Sequence, residues 1–177
     1  MEKSGWASGV ERKLGRKAQI VIVFGSPDLL KKGEIFKELK SAYPEAFFFG
    51  CSTAGEIAGS EVFEESVVAT AVSFEHTGVK QASIKISDTQ DSFEAGKLLA
   101  DKLDKNNLKH VFVLSDGLKV NGSDLVKGIY EKLPANVTLT GGLSGDNGKF
   151  IETLVFTEEN VEKEVVSAIG LYGDRIK

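Results

Sequence analysis

The stretch Gly50-Cys51-Ser52-Thr53-Ala54-Gly55-Glu56-Ile57, directly after Phe47-Phe48-Phe49, decides how the chain is read. Three consecutive bulky apolar residues suit a strand buried in a sheet core. The change to glycine and small hydroxyl residues suits a loop that exposes backbone N–H groups beyond the strand end. The pattern recurs where Val137-Thr138-Leu139-Thr140 runs into Gly141-Gly142-Leu143-Ser144-Gly145-Asp146-Asn147. Two such loops can form one pocket.

Upstream of the first loop, residues 18–24 form a near-continuous apolar run of the kind buried on both faces of a parallel sheet, ending at Gly25-Ser26. Ser26-Pro27 suits the cap and first position of a helix, and Ile35, Phe36, Leu39 and Tyr43 recur at helical spacing toward Pro44. Downstream, residues 67–74 and 79–86 read as two strands of a hairpin around Thr77-Gly78, with Gln81, Ser83 and Lys85 on a wet face. Asp91 can cap a helix with Glu94 three residues on, burying Ala95, Leu98, Leu99 and Leu103.

A second strand-helix-strand unit follows. Val111-Phe112-Val113-Leu114 stops at Ser115-Asp116-Gly117, and Asn121 caps a helix whose apolar side is Leu125, Val126, Ile129 and Leu133 before the Val137 strand. Residues 150–156 and 165–172 read as a closing hairpin across Glu158-Glu159-Asn160. The expected fold is therefore α/β, a mixed β-sheet of strand-helix-strand units and antiparallel hairpins with glycine-rich loops at the carboxyl ends of strands. If the four strands ending at Gly25, at residues 50–55, at Ser115 and at residues 141–146 are parallel neighbours, their loops share the edge where open α/β sheets bind ligands.

A length of 177 residues suits one domain, residues 1–177, with apolar residues spread along the chain and three prolines. The net charge of −4 mixes both signs, so no basic field is available to collect nucleic acid; Arg12-Lys13 with Arg16-Lys17 reads as a solvated helix end. One cysteine excludes an internal disulfide, and two histidines with it make no zinc spacing. The first twenty residues lack the apolar stretch of an export signal, and no run of about eighteen apolar residues suggests a membrane span. No G-x-x-x-x-G-K-[ST] or G-x-G-x-x-G motif supports nucleotide binding, and no cofactor or metal is expected.

The chain resembles the N-terminal half of the FIST domain, a sensory module of bacterial and archaeal signalling proteins. The resemblance rests on Gly50-Cys51-Ser52-Thr53-Ala54-Gly55-Glu56 after the Phe strand, on Gly141-Gly142 with Ser144-Gly145-Asp146, and on the closing segment ending at Gly170, and it covers about residues 5–173. It implies a cytoplasmic domain that binds small molecules such as amino acids or related metabolites and serves as the input of a signal transduction system, with no established reaction. The family normally continues into a C-terminal half, so that half, or a signalling output domain, is an expected partner lying outside this sequence.

The candidate ligand-binding residues are Cys51, Ser52, Thr53, Gly55, Glu56, Asp116, Gly141, Gly142, Ser144 and Asp146, and no residue is assigned a catalytic role. Ser52 and Thr53 can hydrogen-bond a ligand or cap the next turn. Gly141, Gly142, Ser144 and Asp146 can complete an amino-acid site, but Asp146-Asn147-Gly148 is equally a turn sequence. Asp116 and Glu56 can meet a cation or serve as a turn former and a helix-start carboxylate respectively. Two alternatives stand beside the sensor: a thiol-dependent hydrolase or transferase using Cys51, and a protein-interaction module that needs the C-terminal half.

Overall fold

The computed structural model describes residues 16–176; Arg12-Lys13 and the part of the expected domain before residue 16 lie outside them. The first apolar run is β1 (Ile20–Gly25), followed by a short helix α1 (Pro27–Leu30), a second helix α2 (Glu34–Ala42) and β2 (Phe47–Ser52). The expected single helix is split at Gly33, whose φ of 70° is left-handed and breaks the helical path. Next come a hairpin of β3 (Glu56–Ala58) and β4 (Glu61–Phe63), then β5 (Val67–Val72), β6 (Gly78–Lys85) and α3 (Ser92–Lys102). The chain closes with β7 (Leu108–Ser115), α4 (Gly122–Lys132), β8 (Thr138–Leu143), β9 (Val155–Phe156), β10 (Val161–Glu162) and β11 (Val165–Tyr172).

The strands form two main sheets, ordered β10-β9-β2-β1-β5 and β6-β11-β7-β8. Parallel pairing is confined to β1 with β2 and β7 with β8, so the four strands do not form one parallel run; antiparallel β5 and β11 flank each pair instead. Helix-side cores build outward from each sheet. Phe48, Val21, Val23 and Leu39 cluster with Phe36 on one side, and Val111, Val113, Leu99 and Ile129 on the other. Between the sheets Ile20, Phe49, Cys51, Leu114 and Ile169 make a third core. The architecture is α/β in four layers: helix, sheet, sheet, helix.

Several expectations are corrected by this layering. Residues 67–74 and 79–86 are no hairpin, because β5 pairs with β1 and β6 with β11 in the opposite sheet. The closing hairpin likewise divides: β9 pairs with β10 in one sheet while β11 runs in the other. The sheet that holds β2 covers part of the β6 face expected to be wet: Gln81 Nε2 donates to the Phe48 carbonyl at 2.9 Å, while Lys85 stays exposed. Phe47, Leu98 and Val126 are exposed despite falling within apolar patterns, each at the margin of a packed face. Asp91 and Asn121 do cap their helices, accepting from Glu94 N at 2.9 Å and from Ser123 N at 3.0 Å.

The two strand-helix-strand units match position by position. Val23 pairs with Gly50 and Val113 with Gly141. Thr53 N donates to Gly25 O at 3.1 Å as Ser144 N donates to Ser115 O at 2.8 Å; Ser26 N donates to Ser66 O at 3.0 Å as Asp116 N donates to Val165 O at 2.9 Å. Even the left-handed residue before the antiparallel strand recurs, at Glu65 and Glu164. By this correspondence Cys51 stands where Gly142 stands, and Ser52 where Leu143 stands.

Candidate functional site

Although the parallel pairs lie in different sheets, their carboxyl ends meet. Gly145 N donates to Ser52 O at 2.9 Å, joining the end of β2 to the segment after β8, and Ser52 N donates to Leu154 O at 2.8 Å. The residues expected in loops are partly strand: Gly50, Cys51 and Ser52 end β2, and Gly141 and Gly142 lie inside β8. Glu56 opens β3 rather than a helix.

Every acidic candidate is buried and already clasped. Glu56 accepts from Thr53 Oγ1 at 2.6 Å and from Ser66 Oγ at 2.5 Å. Asp116 accepts from Leu118 N at 2.8 Å, Lys119 N at 2.7 Å and Thr153 Oγ1 at 2.8 Å, and from Glu164 N at 3.3 Å. Asp146 accepts from Phe150 N, Ile151 N and Glu152 N at 3.0, 2.7 and 3.2 Å, and Asn147 and Gly148 after it are left-handed, which is the turn its sequence allowed. Buried carboxylates require such donors, because an unpaired charge loses hydration with nothing in return. Ser52 Oγ accepts from Leu154 N at 2.9 Å, and Ser144 Oγ donates to Ser115 O at 2.9 Å. The strand-end junction is thus a closed polar lock in which these side chains hold loops together.

Cys51 is buried in the core between the sheets, and burial pushes its thiol up to about 12. At neutral pH the thiolate that a thiol-dependent reaction requires is therefore scarcely populated. His110 points elsewhere: its Nδ1 and Nε2 lie 2.7 and 2.9 Å from the hydroxyls of Thr138 and Thr140 on β8. Among the described residues no group of three or more His, Cys, Asp or Glu side chains is placed to hold a metal ion, and no helix is long and apolar enough to cross a membrane.

An open groove lies beside the lock, between β8 and α4. Its volume is about 550 Å³, within the roughly 300–1,000 Å³ usual for small-molecule sites. Gly141 and Gly142 line it with Ser115, Thr140 and Leu143; α4 contributes Gly122, Ser123, Leu125, Val126 and Tyr130. Of the ten expected site residues, the groove takes in Gly141 and Gly142. Cys51, Ser52, Thr53, Gly55, Glu56, Asp116, Ser144 and Asp146 lie outside its lining. Val126 and Tyr130, missed as site residues, carry a detectable signal: they extend the apolar face of α4 beyond the width that its core contact with Leu125 and Ile129 uses.

Glycines tighten this region. A Cβ at Gly141 would collide with the Val113 carbonyl oxygen, whereas one at Gly142 would meet nothing within 4 Å. The first glycine holds β8 against β7; the second pairs with Leu114, so its missing side chain faces the inter-sheet side of β8 and only its backbone borders the groove.

The domain is a layered α/β fold with a closed polar junction at its strand ends and an open groove beside it. A family model for the FIST N domain matches residues 19–177, and the chain belongs to that family, a family of sensory domains in signalling. No curated protein matches the chain.

Proposed function

We propose that this domain is the ligand-binding input of a signal transduction system and that its ligand, an amino acid or related metabolite, occupies the groove between β8 and α4. The observation that carries the reading is the groove itself: apolar walls from Leu125, Val126, Tyr130 and Leu139 meet Ser115 and Ser123 near the carboxyl ends of two parallel strands. Ser52, Thr53, Glu56, Asp116, Ser144 and Asp146 act behind it, holding the loops through their hydrogen bonds, while Cys51 packs in the core between the sheets and Gly55 lies outside the groove. For binding to signal, the ligand must prefer one state of the domain, with about 1.4 kcal/mol of preference for each tenfold shift in population.

The test is a thermal-shift screen of the purified chain against amino acids and small metabolites. At one hundred times Kd a ligand adds about 2.7 kcal/mol, and each kcal/mol raises Tm by roughly 2–4 °C at this size. One chemical class shifting Tm by several degrees, with the shift lost in a folded Val126→Arg variant that fills the groove, supports the reading. A flat panel sinks it.

A second reading draws on another observation. Ile57 and Val62 of the β3–β4 hairpin are each 70% exposed, and Phe150 and Ile151 on the segment after β8 are 80% and 78% exposed. Exposed apolar side chains at this density favour a protein contact, for which the C-terminal half of the family arrangement is the natural occupant. Supplying that half in trans and following the solvent protection of Phe150 and Ile151 distinguishes this reading from an isolated sensor.

A further inference from the structure

The outer edges of β2 and β8 are equivalent positions with different neighbours. Against β2 lies β9, antiparallel, with Cys51 opposite Val155; Ser52 N donates to Leu154 O at 2.8 Å and Ser52 Oγ accepts from Leu154 N at 2.9 Å. This added strand carries Leu154 and Phe156 into the helix-side core, where the Phe156 ring sits 6.1 Å from that of Phe36. In the second unit β8 ends its sheet among the described residues. Leu143 holds the place of Ser52, and its N–H points away from β7, because donors alternate along a strand and Ser144 N takes the β7 carbonyl of Ser115. On the helix side, where Leu154 and Phe156 fill the first unit, the second has the groove beside Val126 and Tyr130.

The β8 edge also lacks the features that usually close one. Its six residues, Thr138–Leu143, include no charge and no proline. The other edge of the same sheet, β6, carries Lys80 and Lys85; in the other sheet β10 is two residues long, and β5, though uncharged, is largely half-buried.

We propose that the β8 edge binds an extended segment of a partner polypeptide, running antiparallel to β8, that continues the sheet through Leu143 N–H and lays an apolar side chain in the groove against Tyr130. Strand addition of this kind takes affinity from backbone hydrogen bonds and selectivity from side-chain pockets. The internal precedent of β9 specifies the occupant. A second copy of this chain is a poorer fit, since its own β8 would present Leu139, already packed under its own α4, and Gly141, which has no side chain to fill the groove. The inference goes beyond ligand sensing and does not rest on it: it needs the strand edge as well as the groove, and a small molecule in the groove would compete with the segment's side chain.

The probe is a synthetic peptide of residues 151–157, Ile-Glu-Thr-Leu-Val-Phe-Thr, titrated into the isotopically labelled full chain. Amide shifts are expected at β8 and α4. Leu143→Pro removes the outward donor and Tyr130→Ala the groove contact, each weakening binding about tenfold or more, the change that about 1.4 kcal/mol produces. Tyr130 is 49% exposed, so that variant tests the proposal even should the proline disturb β8. Circular dichroism and Tm verify folding. The proposal is overturned by an absence of shifts at millimolar peptide, by shifts confined to β2 through displacement of β9, by affinity unchanged in both variants, or by a dimer in light scattering that the same substitutions dissociate.

Discussion

The unit built on β1 and β2 is sealed, and the unit built on β7 and β8 is open. Both pair a valine with a glycine, both cross-link their strand ends through the same backbone bonds, and both abut an antiparallel strand after a left-handed glutamate. They differ in what lies beyond the second strand. In the first unit β9 closes the edge and supplies Leu154 and Phe156; in the second, among the described residues, no strand pairs with the edge and a groove remains. The comparison teaches that one local pattern is packed into the core where a neighbour covers it and leaves an open groove where none does.

The largest difference should come from the side chains beside the two edges. Phe156→Ala empties a fully buried position and should cost about 3–5 kcal/mol, while Tyr130→Ala trims a half-exposed ring and should stay within about 1 kcal/mol. Chemical denaturation measures both, and comparable losses would dissolve the distinction between sealed and open units.

Next come the paired glycines. Alanine at Gly50 meets the Val23 carbonyl in a central strand that cannot yield, and alanine at Gly141 meets the Val113 carbonyl on an edge strand free to shift. Gly50→Ala should therefore cost about 3 kcal/mol or more and Gly141→Ala about 1–2 kcal/mol, since overpacking is relieved where structure can move. Equal midpoint shifts would show the edge to be as rigid as the centre.

The helix starts sharpen the contrast further. Asn121→Ala should lower stability by about 1 kcal/mol because its side chain takes two backbone donors of α4. Ser26, the cap residue of α1, makes no side-chain cap and its buried Oγ has no partner among the described residues, so Ser26→Ala should be neutral or slightly stabilising. A thermal melt of each variant decides this.

The smallest effect at neutral pH concerns Cys51, whose counterpart is Gly142. Its folded thiol is raised from 9.0 to about 12 by burial, so the folded state keeps its proton longer than the unfolded chain. The stability from that neutral thiol is complete below pH 9 and is lost progressively from there to about pH 12. Cys51→Ala should flatten this part of the pH–stability curve, and native Cys51 should alkylate at pH 8 no faster than the chain opens. Rapid alkylation of the folded protein would return Cys51 to consideration as a nucleophile.

Much of the fold was legible because it depends on short-range pattern. The apolar runs at residues 18–24, 47–49 and 111–114 became strands, and Asp91 and Asn121 capped the helices they precede. The hairpins were misassigned because a polar turn such as Thr77-Gly78 reverses the chain without stating which sheet receives the next strand. Of the candidate residues, Gly141 and Gly142 border the groove, but Glu56, Asp116 and Asp146 carry the same residue signature whether they face a ligand or clasp neighbouring hydroxyls and amides.

By itself, then, the sequence determined the elements, their caps, the two glycine-marked strand ends and membership of the FIST N family. Tertiary structure alone decided that the strands divide into two stacked sheets, that the acidic candidates are locked inside, and that β8 rather than β2 is left with an open edge. The reason is physical: periodicity and capping act within a few residues, whereas sheet partners and the covering of an edge are settled by residues as distant in sequence as Ser52 and Leu154.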